Sequence, residues 1–288
     1  MKRKLFVYVP AIILMLMIGA VAYTQATKQA GQLKINKIKD DLYEVEGDGG
    51  NVAVYVTNEG LILIDDKFDY DHDAIMNQIK TVTNQPIKYV ISTHYHEDHS
   101  GGNAKMYGAG AEIISTTQSH KNIVEHKQSN ASANVVPARV TFDHDTTVYL
   151  GGKEVTARFE GRGHTGGDAV VYFPALKVLH TGDLMAGNTP LIDYPGGGSL
   201  KYWPATLDAA MKDFDFDTVI PGHGAVTTKM GLLAYRNDVE KQSKRVAQLI
   251  KQKKSEDEIG KVMMAEFHWM PGSLQMMWSL PGFKTEYK

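Results

Sequence analysis

Three histidines and two carboxylates lie within six consecutive residues, in the string His-Tyr-His-Glu-Asp-His at positions 94–99. Neutral imidazole and carboxylate groups are the ligands that a borderline cation such as Zn²⁺ accepts. His94 and His96 are two positions apart, so they face the same way and can share one metal, while Asp98 and His99 can turn toward a second. A solvated polar loop is the alternative, but it leaves further histidines and carboxylates downstream without a role. The string therefore predicts a metal site.

Further candidate ligands lie downstream, each in a glycine-rich turn after a predicted strand. They are His164 in Gly-Arg-Gly-His-Thr-Gly-Gly-Asp, Asp183 in Thr-Gly-Asp and His223 in Pro-Gly-His-Gly. Glycine lets the backbone bend sharply beside a metal, with no Cβ in the way. A lone histidine or aspartate in a turn is usually ordinary surface, and the agreement of all three in order, setting and ligand type is what makes the set informative.

The elements that must position these residues are alternating strands and helices. Apolar and β-branched runs predict strands at 42–45, 51–56, 61–64 and 87–91, and the last runs straight into the histidine string. Helical spacing predicts a helix at 71–82 between the last two. A second set of strands is predicted at 112–115, 139–142, 147–150, 155–159, 169–173, 178–180 and 218–220, with helices at 200–214, 228–254 and 257–267. This order permits two packed β-sheets with helices outside.

The histidine string, followed in order by His164, Asp183 and His223, resembles the metallo-β-lactamase superfamily over residues 33–228. The resemblance implies an αββα sandwich of two mixed β-sheets flanked by helices. It also implies that one metal is bound by His94, His96 and His164, a second by Asp98, His99 and His223, and that Asp183 bridges both. Asp65 matches an early acidic position of the family and would support the ligands from behind, whereas an ordinary strand-ending aspartate is the alternative.

Differences between this sequence and particular branches of the family indicate which branch it resembles most. The best-known lactamases carry Cys where Asp183 stands, and a bridging Asp is more like glyoxalases, lactonases and related hydrolases. The nucleic-acid-processing branches do not fit, because the sequence has no inserted domain and no basic surface signal. The iron flavoprotein branch has Glu at the position of His96 and adds a flavin domain, and this sequence has neither.

The resemblance implies a hydrolase with two zinc ions per chain. Two cations that share a water make it a hydroxide nucleophile at neutral pH, and no separate Ser or Cys is required. Asp98 could orient that water and carry its proton as well as bind metal. The predicted substrate is a small ester, lactone, lactam or thioester. The alternatives are an iron-containing redox or sulfur-handling enzyme using the same ligands, a dedicated β-lactamase, and a non-catalytic protein stabilised by metal.

The segment 184–203 follows Asp183 directly and is the predicted specificity loop, since long irregular loops beside a site often carry specificity. Tyr194, Tyr202 and Trp203 would form its apolar walls around the flexible run Gly196–Gly198, with anchoring of the next helix as the alternative. In the C-terminal stretch, Trp269, Met276, Met277 and Trp278 are expected to pack against the sheets, and a lid over the site is the alternative. His180 is expected to be a hydrogen-bonded structural residue.

The N-terminus predicts export. Lys2, Arg3 and Lys4 precede an apolar run at 5–21, and Ala20-Val21-Ala22 offers a cleavage site. Residues 1–30 are therefore predicted to be a cleaved signal peptide, with a membrane anchor at 5–22 as the alternative, and residues 31–288 the catalytic domain. The protein is expected to be periplasmic or secreted.

Charge and composition restrict the partners. The 288 residues carry a net charge of -2 and no Cys. A near-neutral balance supplies no field for nucleic acid, and thiolate ligands and disulfides are impossible. A small-molecule substrate is the expected partner, and no sequence feature specifies an oligomeric state.

Overall fold

The structure, a computed structural model, describes residues 31–125 and 135–288. The predicted signal segment lies outside these ranges. Two β-sheets organise the described part of the chain, the first from its N-terminal half and the second from residues beyond 144. No helix within these two ranges is both long enough and apolar enough to cross a bilayer.

The first sheet has seven strands that lie side by side in chain order. Strands β1 to β4 pair antiparallel, and β4 to β7 pair parallel. Their bounds are β1 (Lys34–Lys39), β2 (Leu42–Glu46), β3 (Val52–Val56), β4 (Leu61–Ile64), β5 (Ile87–Ile91), β6 (Glu112–Thr116) and β7 (Val140–Phe142). Parallel neighbours need crossover connections, which the helices α1 (His72–Lys80), α2 (Glu97–Ser100), α3 (Asn103–Gly108) and α4 (Thr117–Glu125) provide.

The second sheet has six strands in the order β13-β12-β11-β10-β9-β8. Their bounds are β8 (Asp145–Leu150), β9 (Lys153–Arg158), β10 (Val170–Phe173), β11 (Val178–His180), β12 (Thr218–Ile220) and β13 (Thr227–Thr228). Only β11 and β12 pair parallel, and helix α5 (Trp203–Asp213) makes the crossover between them. The chain then continues through α6 (Lys229–Lys251), α7 (Glu256–Phe267), a π-helical turn at Gln275–Ser279 and α8 (Phe283–Glu286).

Alternation along the strands explains the layers. In β4, Ile62 and Ile64 point into the core between the sheets, whereas Leu61 and Leu63 point outward beneath α1 and α3. In β10, both Val171 and Phe173 point into the same core. Strands buried on both faces read as continuous apolar runs, because each face is covered by another layer. The second sheet is covered outside by α5, α6 and α7, so the layers run helix, sheet, sheet, helix.

The predicted αββα sandwich of two mixed sheets is therefore confirmed. The predicted strands are present with shifts of one or two residues at their ends. Sequence reasoning missed the strands β1 and β13 and the helices α2, α3, α4 and α8. Strand β1 has the sequence Lys-Ile-Asn-Lys-Ile-Lys and no fully buried residue, so its apolar signal is weak. It is an edge strand, where lysines discourage pairing with other chains.

Candidate metal centre

The candidate ligands lie in loops at one end of both sheets. In the first sheet, β4 and β5 run parallel with Ile64 beside Ile91, so the segments that follow them leave the same edge. In the second sheet, β11 and β12 are parallel with His180 beside Ile220. The histidine string follows β5, and the segments that carry Asp183 and His223 follow β11 and β12. The packing of the two sheets brings these edges together.

Three imidazoles converge on one point. The Nε2 atom of His94 lies 3.2 Å from Nδ1 of His96, and Nε2 of His164 lies 2.8 Å from the same Nδ1. His94 and His164 are each 1% exposed, and His96 is 7% exposed. His94, His96 and His164 form one of the groups in the described residues whose ligand atoms are close enough to hold a metal ion.

A second group lies beside the first. The Nε2 atom of His223 is 3.0 Å from Oδ2 of Asp98 and 3.2 Å from Nε2 of His99. Asp98 and His99 lie on the short helix α2, where the sequence predicted a turn. Asp98, His99 and His223 again have ligand atoms within 4.8 Å of one another.

Asp183 lies between the two groups. Its Oδ1 is 3.1 Å from Nε2 of His99 and 3.5 Å from Nε2 of His223, whereas its Oδ2 is 3.6 Å from Nε2 of His164. One oxygen therefore faces each group. A one-turn 3₁₀ helix at Gly182–Leu184 carries this aspartate, and a Cβ at Gly222 would collide with its carboxylate. Gly222 thus permits the close approach to a candidate ligand that glycine-rich turns allow.

The donor set fits a metal. A neutral imidazole offers one donor and one acceptor, so Nδ1 of His96 cannot satisfy the two nitrogens that face it from His94 and His164. The buried Oδ1 of Asp183 has no hydrogen-bond partner in the described part of the chain. A cation among these atoms would satisfy all of them at once.

The electrostatics favour the same occupant. Burial lowers the pKa of His94 well below its usual value and that of His164 to about 4, so both rings are neutral and offer a lone pair. Burial alone would raise the pKa of Asp183, but the charges of His99 and His223 outweigh it and hold that pKa well below its usual value. Burial alone would lower the pKa of His99 and of His223, but the charge of Asp183 outweighs it and raises both pKa values, so this side of the centre holds positive charge that a bound cation would replace.

Asp65 holds the histidine string from behind. It is fully buried after β4, and its Oδ2 accepts hydrogen bonds from Nδ1 of His99 at 2.7 Å and from Oγ1 of Thr93 at 2.8 Å. Its Oδ1 accepts from the backbone N–H of Thr93 at 2.6 Å. A carboxylate on Nδ1 fixes the ring of His99 so that Nε2 faces the centre.

Sequence reasoning missed Asp193. Its Oδ2 lies 3.0 Å from Nε2 of His96 and accepts a short hydrogen bond from the hydroxyl of Tyr95. The same loop supplies the carbonyl of Leu191, which lies 2.6 Å from Nδ1 of His164. Asp193 is 4% exposed, and its only sequence signal is a carboxylate between the apolar Ile192 and an aromatic residue. The loop after Asp183 therefore orients two of the candidate ligands.

Asn51 joins the two sheets beside the centre. Its backbone N–H donates to the carbonyl of Gly222 at 2.7 Å, and its side-chain amide donates to the carbonyls of Pro221 at 3.0 Å and Gly224 at 2.8 Å.

Nε2 of His180 lies 3.1 Å from the carbonyl of Asn51, and the N–H of Gly182 donates to Nδ1 of His180 at 3.1 Å. Both ring nitrogens of His180 are thus used by backbone groups, in keeping with the structural role expected of it.

The centre opens into a cavity of about 1690 Å³. His96, Asp98, Asp183 and His223 line it, and so do Tyr194 and Tyr202 of the predicted specificity loop. The hydroxyl of Tyr194 donates to Oε2 of Glu286 at 2.6 Å. Tyr202 is 53% exposed, and the guanidinium of Arg162 lies 5.4 Å from its ring centroid.

The expectation that Trp203 is a substrate wall is wrong. Trp203 is fully buried, and its Nε1 donates to the carbonyl of Leu184 at 3.1 Å. It packs with Leu207 and Ala210 in the core beneath α5, which is the anchoring role named as the alternative. A side chain without exposed surface cannot contact a substrate.

The C-terminal stretch divides between both expected roles. Trp269 is 2% exposed and packs in the core, with Met276 partly buried against the same cluster. Met277 and Trp278 instead line the cavity, and the ring of Trp278 lies 6.0 Å from that of His96. The expectation of packing against the sheets therefore holds for the first pair and fails for the second.

Comparisons with known proteins identify relatives. Residues 45–223, more than half of the chain, match the family model of the Metallo-beta-lactamase superfamily. A type 2 metallo-beta-lactamase from Elizabethkingia meningoseptica is 27% identical over 227 residues, which are 73% of this chain and 86% of that protein. The metallo-beta-lactamase IND-1 from Chryseobacterium indologenes is 26% identical over 176 residues, or 60% of this chain and 71% of that protein.

Solved structures show the same fold. A metallo-beta-lactamase from Pontibacter korlensis superimposes with a TM-score of 0.65 at 24% identity, covering 73% of this chain and 99% of that one. A double mutant of the sec-alkyl sulfatase PisA1 superimposes with a TM-score of 0.70 at 19% identity, covering 88% of this chain and 50% of that one. At these identities the likeness concerns the fold.

Proposed function

This chain belongs to the metallo-beta-lactamase superfamily of metal-dependent hydrolases, and we propose that it binds two zinc ions and cleaves a small ester, lactone, lactam or thioester. The observation that carries the proposal is the position of Asp183, with one carboxylate oxygen toward each group of histidines. Structural zinc sites are normally closed and have four ligands, whereas a carboxylate shared between two ligand sets is an arrangement for catalysis.

The proposed ligands form two sets, each supported by a group of converging side chains, and Asp183 also lies close to His94 and His99 of different sets. His94, His96 and His164 would hold the first zinc, and Asp98, His99 and His223 the second. Asp183 would contact both. When bound, the two ions would lower the pKa of a shared water toward about 7 and polarise the carbonyl oxygen of the substrate.

We assign the catalytic role among the protein groups to Asp98. Its side chain is 25% exposed and lines the cavity, whereas that of Asp183 is 8% exposed. Oδ2 of Asp98 faces Nε2 of His223 at 3.0 Å, so Oδ1 is the atom left to hold the proton of the attacking water and pass it to the leaving group. Asp65 orients the ring of His99, and Asp193 orients the ring of His96.

The size and openness of the cavity support a small-molecule substrate. Tyr194 and Tyr202 would contact the part of the substrate that lies away from the metals. The bridging position is an aspartate, and on this ground we infer that lactones, esters and thioesters are better substrates than β-lactams. A dedicated β-lactamase is the second candidate, which the named relatives favour.

The proposal is tested by metal analysis and a substrate panel. The purified protein should hold close to two zinc ions, and His164→Ala and His223→Ala should each hold about one. The zinc-loaded protein should hydrolyse a lactone or thioester faster than any β-lactam. A stoichiometric pair of iron ions would favour the redox or sulfur-handling alternative, and a β-lactam cleaved far faster than every other substrate would favour the second candidate.

We also propose that the protein acts outside the cytoplasm, since Lys2, Arg3 and Lys4 precede an apolar run and a cleavage site. Material recovered from the periplasm or medium of an expressing bacterium should begin at Tyr23. An intact N-terminus in the membrane fraction would instead indicate an anchor, and recovery of intact protein from the cytoplasm would contradict export.

A further inference from the structure

Exposed apolar side chains concentrate in one short C-terminal segment. Leu274 is 46% exposed, Met277 is 57% exposed and Trp278 is 44% exposed. Single exposed apolar residues are common on protein surfaces, but neighbouring ones that line a single cavity indicate a binding surface. All three line the cavity of the metal centre. We refer to Leu274, Met277 and Trp278 as the apolar wall.

The apolar wall is continuous with the candidate ligands. The ring of Trp278 lies 6.0 Å from the ring of His96, with an interplanar angle of 65°. A substrate whose carbonyl group reaches the ligands therefore has the wall beside it. The polar groups His96, Asp98 and Asp183 line the same cavity, so one ligand can meet a polar and an apolar surface there.

Hydrogen bonds and core packing fix the position of the segment that carries the apolar wall. The hydroxyl of Ser279 accepts from the N–H of Ile192 at 2.8 Å and donates to its carbonyl at 3.2 Å. Nε2 of Gln275 donates to Oγ1 of Thr189 at 3.0 Å. Phe283, which follows the wall, is fully buried in the core. These contacts tie the segment to the loop of Asp193, so its apolar side chains are held toward the cavity by the fold.

We propose that the apolar wall binds an apolar acyl group of the substrate, so that the preferred substrates are esters or thioesters of medium-chain or aromatic acids. This inference rests on the proposed hydrolase function and adds the chemical class of the acyl group. An apolar chain laid on Leu274, Met277 and Trp278 removes apolar surface on both partners from water, which favours binding in proportion to the area covered. A short acyl group such as acetyl does not reach the wall and gains nothing from it.

Binding can be measured without turnover. Of the three tryptophans, Trp203 and Trp269 are buried and Trp278 is exposed in the cavity, so a change in intrinsic fluorescence on ligand addition reports on the wall. The probes are butyrate, hexanoate and octanoate added to the zinc-loaded protein. We expect the Kd to fall about two- to fourfold per added methylene. Met277→Ala should flatten this dependence, and Met270→Ala is the matched control, since Met270 is 69% exposed but does not line the cavity.

Turnover provides the second measurement. For the p-nitrophenyl ester of octanoate, kcat/KM should fall about tenfold in Met277→Ala, whereas in Met270→Ala it should stay within about twofold of wild type for both the acetate and the octanoate ester. The inference is overturned if wild-type Kd and kcat/KM do not depend on chain length, or if Met270→Ala causes the same loss as Met277→Ala. Chain-length-dependent binding without hydrolysis of any ester, thioester, lactone or lactam would contradict the proposed hydrolase function while supporting the wall, so the two failures are distinguishable.

Discussion

Removing Asp193 should weaken the first of the two proposed zinc sites without any change to a proposed ligand. The Asp193 carboxylate accepts from Nε2 of His96, and this bond leaves the Nδ1 lone pair of His96 directed at His94 and His164. Burial alone would raise the pKa of Asp193, but its hydrogen bonds with His96 and Tyr95 hold that pKa at about 2, so the group is charged at every working pH. The variants Asp193→Asn and Asp193→Ala therefore remove a charge, and the second also removes the acceptor.

The expected loss of zinc affinity can be estimated from the hydrogen bond between Asp193 and His96. A hydrogen bond to a charged, buried partner contributes about 1.5–3 kcal/mol, which corresponds to roughly 10- to 100-fold in an equilibrium constant. Loss of a carboxylate behind a histidine ligand typically costs a similar factor in metal affinity. We expect about tenfold weaker binding of one zinc in Asp193→Asn and about 100-fold in Asp193→Ala. Tyr95→Phe keeps the carboxylate on His96 and should cost less than about threefold.

The assay is competition for zinc with a chromophoric chelator, which resolves the two binding steps. Thermal unfolding of the metal-free proteins provides the control for folding. Equal affinity in Asp193→Ala and wild type would refute the argument. A loss confined to the zinc held by His223 would also refute it, because Asp193 contacts the other group.

Three further perturbations have defined outcomes. Asp183→Ala should release the second zinc, because its Oδ1 faces His99 at 3.1 Å, and should lower kcat on any good substrate by about 100-fold or more; unchanged kcat would show that the centre is not the catalyst. Glu44 is 3% exposed with a pKa raised to about 7 by burial and by the charge of Glu46, so the free energy of unfolding should fall as pH rises from about 4.5 to 7. Glu44→Gln should match wild type near pH 4 and exceed it above pH 7 by at most about 3 kcal/mol in denaturant titrations, and a larger gain at low pH would contradict this sign. His180→Ala should cost about 2–4 kcal/mol of unfolding free energy through a cavity and two lost hydrogen bonds, with kcat per bound zinc within tenfold of wild type; a pure loss of kcat at full stability would assign His180 to catalysis.

The convergence of the candidate ligands can be predicted because the signals are local. The string at 94–99 places its residues together by covalent connection, and His164, Asp183 and His223 each follow a strand whose end can be read from its composition. Trp203 was misassigned although a signal existed. Trp203, Leu207 and Ala210 repeat at helical spacing, and all three are fully buried. The helical spacing, which places Trp203 on the buried face of α5, was therefore the better guide to its position than its place at the end of the loop.

Other features had no local signal. Asp193 meets His96 across a separation of 97 residues, in a loop without periodicity. The split between Met276, which packs inward, and Met277, which faces the cavity, depends on a π-helical turn at Gln275–Ser279. Such turns are set by tertiary packing and are rare enough that a pattern does not predict them.

The hydrogen bonds of Asn51 have a consequence for the order of folding. They connect β3 to the segment of His223 across 170 residues of chain, and His99 meets His223 across 124. Contacts of such separation form only after long loops have closed, which is slow and costly in entropy. Neither half of the protein can therefore assemble the proposed centre by itself, and a metal captured there binds only the docked pair of sheets. Metal binding would then stabilise only fully folded molecules, and not molecules in which a single sheet has formed.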